Sequence, residues 1–272
     1  MSSLCQSLVQ IGHDISLDLR HAWASDLSFG EETITETNLL TLKRLHPRHV
    51  VLKSFTKNQE ARNGADWEWW FIDSNKRIGF PMRVQAKRLP KNSHKFKNLL
   101  TYSAKKSTQR QIDMLINDAQ KFGMMPLYCL YISEAEMYLA NELYRLQLKR
   151  SYPLFEYGCW VGSATAIKAG RKQDLNGLFD TIFPWHFLVC RNRVKTSEVP
   201  SLPLRVRDAL QRLPDVNGEA RGSDEAIPQI VERLPSHVLS LLDNNSVERA
   251  SFQLLERRLR GIVLFIDTQE AV

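Results

Sequence analysis

The chain has 272 residues, enough for one full α/β domain with an appendage or for two modest domains. Its 43% hydrophobic content is dispersed, and its longest apolar runs, such as residues 261–266, fall far short of a bilayer span, which excludes a transmembrane helix. A net charge of +7 favours acidic partners over basic ones.

Near the N-terminus Gln6, Gln10, His13 and Asp14 interrupt any apolar run, so no secretory leader is expected and the cytoplasm is the expected location. Cys5, Cys129, Cys159 and Cys190 lie far apart, without zinc-ligand spacing or a disulfide framework. Reduced thiols are expected, with Cys129 and Cys190 buried in their apolar runs.

Residues 3–26 follow a roughly helical rhythm, and a second helix is expected over residues 31–45 from Ile34, Leu39, Leu42 and Leu45, stopped by Pro47. Residues 49–55, 65–72 and 78–89 read as three strands parted by polar turns, and such short connections favour an antiparallel meander. Residues 107–122 place Ile112, Leu115, Ile116 and Ala119 on one helical face, and residues 126–132 read as a buried strand. Strand, helix and strand in that order imply a right-handed parallel crossover. The expected class is therefore α/β, a mixed central sheet flanked by helices.

Helix and loop continue through residues 157–170, and residues 184–190 read as a last strand. Residues 193–203 read as a linker and 214–223 as a second flexible stretch, while 227–242 and 247–259 carry helical patterns. The expected organisation is a domain over residues 1–192 and a helical C-terminal region over 204–272, used for packing or self-association.

Charge is unevenly spread. From Ser74 to Ile112 there is no acidic residue, while eleven lysines and arginines supply more positive charge than the chain carries net. That concentration suits phosphate neutralisation, and a solvated basic face would look the same.

The chemistry-bearing segment is Gly64-Ala65-Asp66-Trp67-Glu68-Trp69-Trp70-Phe71, followed by Gln85-Ala86-Lys87 on the next strand. Alternate strand residues share a face, so Asp66 and Glu68 point one way and Gln85 and Lys87 point together. Carboxylate and amide oxygens suit Mg²⁺, and a nearby ammonium can orient water or offset developing charge. A hairpin ion pair between Asp66 and Lys87 is the plainer alternative.

Asp66 followed by Gln-x-Lys, centred on Val84-Gln85-Ala86-Lys87-Arg88, resembles the Mrr-like branch of the PD-(D/E)XK nucleases, the restriction-endonuclease-like superfamily. The resemblance covers roughly residues 30–135, and in that branch Gln stands for the usual second acid. It implies Asp66 and Gln85 as ligands of Mg²⁺ (or Mn²⁺), Lys87 as the catalytic lysine, and a supporting glutamate, Glu36 or Glu32, from the preceding helix. Glu36 also closes a Thr33-Ile34-Thr35-Glu36 capping-box pattern, which leaves its role open.

Trp67, Trp69 and Phe71 face away from Asp66 and read as core rather than as a base-stacking surface. His46, His49 and His186 form no metal spacing, Ser103 and Lys106 make an isolated S-x-x-K, and no phosphate loop occurs. The expected function is a metal-dependent endonuclease cutting DNA rather than RNA, with Arg88, Lys91, Lys95, Lys105 and Lys106 on the phosphate backbone. A restriction or anti-phage defence role, with a homodimer or a defence partner protein, follows by family analogy only. The alternative is an inactive nuclease-fold module that binds nucleic acid as a recruiter or assembly subunit.

Overall fold

A computed structural model describes residues 3–55, 65–103, 108–133, 158–190, 200–211, 227–243 and 259–267. Helix α1 (Leu4–Ala24) opens on a capping box in which Ser3 Oγ accepts from Gln6 N and Gln6 Oε1 accepts from Ser3 N. Helix α2 (Glu31–Leu45) starts at Gly30 without a side-chain cap, and Glu31 and Glu32 lie in its first turn, where carboxylates complement the helix dipole. The Thr33–Glu36 capping box therefore does not form, because the helix has already begun when the pattern arrives.

Strands β1 (Val50–Ser54), β2 (Trp67–Ile72), β3 (Gly79–Arg88), β4 (Met125–Tyr131), β5 (Cys159–Ser163), β6 (Ile182–Pro184) and β7 (Gly261–Ile266) form a seven-stranded mixed sheet. Their order is β1-β7-β2-β3-β4-β5-β6. β2 and β3 are antiparallel, with Glu68 opposite Arg83, and β3 and β4 are parallel across the connection through α3 (Gln111–Lys121).

The expected meander is only partly formed. β1 does not pair with β2, because β7 lies between them, antiparallel to β1 and parallel to β2. β7 comes from the region expected to be helical. Its six residues are buried on both faces, as an interior strand requires, and such a short apolar run carries no period to separate strand from helix. It enters the sheet at Gly261, where a Cβ would stand 2.3 Å from the Trp67 ring and 2.4 Å from the Lys53 carbonyl.

The remaining elements are α4 (Ala164–Gly170), α5 (Leu175–Leu178), a 3₁₀ turn (Trp185–Leu188), α6 (Leu202–Gln211) and α7 (Ser236–Leu242). The strand expected over 184–190 is thus β6 ending at Pro184, followed by that turn, and the helix expected over 227–242 begins only at Ser236. The helix expected over 247–259 and the stretch 214–223 lie almost wholly outside the described residues, as does the linker up to residue 199.

Two apolar layers enclose the sheet. On one face Trp67, Trp69, Phe71, Val84 and Phe265 pack with residues of α1, α2 and α6, confirming the tryptophans as core. On the other Trp70, Ile72, Tyr128, Leu130 and Leu264 pack under α3, α4 and α7. His46 is buried between α1 and α2, with Nε2 2.8 Å from Ser7 Oγ. His186 is also buried, and burial pushes its pKa down to about 4. Cys5 and Cys190 are joined in a disulfide, contrary to the expectation of four reduced thiols, whereas Cys129 and Cys159 are free and buried. No described helix is long and apolar enough to cross a membrane.

Candidate functional site

Strand alternation brings Asp66, just before β2, and Gln85 and Lys87, near the end of β3, to one end of the sheet. Asp66 Oδ2 accepts from Gln85 Nε2 at 2.5 Å and from the Ala86 N–H at 3.1 Å. Lys87 Nζ sits 5.1 Å from the centre of the exposed Tyr102 ring. Three of the expected residues therefore converge.

Other residues complete the site, and three of them the sequence reading missed. Arg260, immediately before β7, places Nε 3.3 Å from Asp66 Oδ1 and Nη2 2.5 Å from Glu32 Oε1. Glu31, rather than Glu36, reaches β3, its Oε1 accepting the Arg88 N–H at 3.0 Å. Glu36 is exposed one turn further along α2 and reaches Arg260 through its charge. Gln111, the first residue of α3, donates through Nε2 to Gln85 Oε1 at 3.0 Å, while its own Oε1 is buried without a hydrogen-bond partner.

Burial pushes the Asp66 pKa up to about 6, against the charges of Arg260 and Lys87 and the Ala86 N–H, which lower it, while Glu31 adds to the rise. Such a carboxylate gains from additional positive charge. Among the described residues no three His, Cys, Asp or Glu side chains form a ready metal cluster. Instead Arg260 bridges Asp66 and Glu32.

Glu68 does not join this group. It is fully buried and accepts from Trp70 Nε1 at 2.5 Å, from His237 Nε2 at 2.8 Å and from Arg83 Nη1. Arg83 Nε in turn lies 3.1 Å from Asp118 Oδ2. Although burial works to raise it, the hydrogen bond from His237 and the charge of Arg83 hold the Glu68 carboxyl below its usual range.

The basic run divides by position. Lys76 and Arg77 occupy the β2–β3 turn, at the opposite end of those strands from Asp66, and Arg83 is buried. At the site's end Arg88 donates to the Phe29 carbonyl at 2.9 Å and Lys91 to the Trp23 carbonyl at 2.6 Å. Lys95, Lys97 and Arg110 are exposed, and Lys105 and Lys106 lie outside the described residues.

The chain belongs to a family of unknown function (DUF6615), which matches residues 4–271. No curated protein matches it.

Proposed function

We propose that this protein is a divalent-cation-dependent endonuclease that hydrolyses phosphodiester bonds in DNA. The observation that carries the reading is the convergence of the half-buried Asp66 carboxylate with Gln85 and Lys87 at one sheet end, next to Arg88. An exposed hairpin ion pair would not bury Asp66 to 15% side-chain exposure, nor tie Gln85 into a second amide on α3.

The donor set fits Mg²⁺ or Mn²⁺. Asp66 and Gln85 offer hard oxygens, and the unpartnered Gln111 Oε1 beside them calls for a donor that metal-bound water supplies. When bound, the cation would polarise a phosphoryl oxygen and acidify water. Lys87, at the rim, holds the attacking water and offsets negative charge developing on the phosphoryl oxygens. Arg88, Lys91 and Lys95 hold the flanking phosphates, Arg88 and Lys91 by exchanging their carbonyl acceptors for them.

The test is cleavage of plasmid, single-stranded DNA and RNA with Mg²⁺ or Mn²⁺, against EDTA and Lys87→Ala. Metal-dependent cutting that falls at least about 10²-fold in Lys87→Ala is expected. A second reading, an inactive nucleic-acid-binding module, is favoured by one observation, the guanidinium of Arg260 against Asp66. It predicts salt-sensitive binding without cutting. A role in restriction or defence, alone or with a partner protein, and a cytoplasmic site of action are extensions of the nuclease reading. The Cys5–Cys190 disulfide is the feature against the last.

A further inference from the structure

We propose that Arg260 is a positioning residue of this site that holds Asp66 Oδ1 while no cation is bound and releases it, swinging toward Glu32 and Glu36, when a divalent cation takes that oxygen. The inference rests on the reading of Asp66 as a cation ligand. It begins from an inventory of one carboxylate. Asp66 Oδ2 already accepts from Gln85 Nε2 and the Ala86 N–H, and Oδ1 faces Arg260 Nε at 3.3 Å. The oxygen left for a cation is therefore the one the guanidinium holds.

A guanidinium stays charged, so it cannot yield its place by losing a proton. Two positive centres crowded on one oxygen repel each other strongly, even at the effective dielectric of a partly exposed site. Arg260 has somewhere to go. Its Nη2 is already 2.5 Å from Glu32 Oε1, Glu36 adds its charge one turn further along α2, and the Arg260 side chain is 32% exposed. Its present pose also leaves Nη1 buried without a hydrogen-bond partner, an unmet donor that turning outward relieves.

The backbone stays in place during the exchange. Arg260 N donates to the Asp66 carbonyl at 2.7 Å and the Arg260 carbonyl accepts from Phe55 N at 2.7 Å, so the Cα is fixed from both sides. The movement is a side-chain rotation rather than a displacement of β7.

The test is calorimetric titration of the metal-free protein with Mn²⁺ alone, without nucleic acid, alongside its melting temperature. Arg260→Gln removes the competing charge and is expected to bind Mn²⁺ about tenfold more tightly, while melting at lower temperature because Asp66 and Glu32 lose their bridge. A merely structural arginine would lower both quantities. Arg260→Lys keeps a charge without the fork and is expected to tighten Mn²⁺ binding by about threefold, which carries the test if Arg260→Gln does not fold. Equal or weaker Mn²⁺ binding by a folded Arg260 variant, with Asp66→Asn abolishing it in both backgrounds, overturns the exchange and leaves the cation site standing. Absence of Mn²⁺ binding by every form, or binding indifferent to Asp66→Asn, overturns both.

Discussion

Two carboxylates two residues apart on one strand face, Asp66 and Glu68, each meet an arginine, and they have opposite characters. Glu68 is sealed in the interior among Arg83, Trp70 and His237, with its acidity increased. Asp66 lies at the strand's open end among Arg260, Glu32 and Gln85, with its acidity decreased and unmatched polar atoms beside it. The difference teaches how a sheet can use one kind of pair for two purposes. The sealed cluster ties α3, through Asp118, and α7, through His237, to the sheet. The open one is left short of positive charge where ligands can arrive.

Breaking each pair separately should dissociate stability from activity. Asp66→Asn is expected to reduce cleavage by at least about 10²-fold while leaving urea unfolding within about 1 kcal/mol of the parent, since the costly buried charge goes with the lost contacts. Glu68→Gln is expected to do the reverse, destabilising by about 3–5 kcal/mol because Arg83 remains buried beside a neutral partner. Equal destabilisation by the two substitutions would erase the distinction drawn between the sites.

Acid should sharpen the contrast. The folded pKa of Glu68 is depressed, so the stability it contributes is complete above its unfolded value of 4.5 and is lost as pH falls through the folded value. Asp66 has the opposite sign in the metal-free protein. Its folded pKa of about 6 exceeds the unfolded 3.8, so the folded state binds the extra proton between them and stability declines as pH rises through that window. Unfolding free energies measured from pH 4 to 7 should therefore lose a downward slope in Asp66→Asn and keep it in a folded Glu68 variant. Identical profiles for parent and Asp66→Asn would contradict the raised pKa of Asp66.

The part of this arrangement that is local in sequence was legible. Asp66, Gln85 and Lys87 follow from strand alternation and a short turn, α3 follows from its helical period, and β3 and β4 follow from strand-length segments set off by turns and by that helix. Arg260 was not, because the pairing of β7 with β2 joins opposite ends of the chain, and a six-residue apolar run reads equally as helix or strand. Glu31 is not singled out by the sequence, because a helix over residues 31–45 does not by itself say which of its glutamates meets β3. The basic run was correct as composition and misleading as a surface. Period-2 alternation buries Arg83 opposite Glu68, and the turn carries Lys76 and Arg77 to the far end. Cys5 and Cys190 carry no mutual spacing signal, since only the packing of α1 against the 3₁₀ turn brings them together.

The smallest expected effect concerns the rim of the open site. Tyr102 is held by its backbone, its N–H on the Asn98 carbonyl at 3.0 Å and its carbonyl accepting the Gln111 N–H at 2.7 Å, so its ring stays over Lys87 although 43% of the residue is exposed. A cation–π contact at such a site is worth about 0.5–1 kcal/mol, which translates into a loss of roughly two- to fivefold in kcat for Tyr102→Ala if the ring serves to aim Lys87. Tyr102→Phe keeps the π face and should retain the parent rate. Loss in both variants would point to the hydroxyl instead, and loss confined to KM would make the ring a substrate contact rather than a support for the lysine.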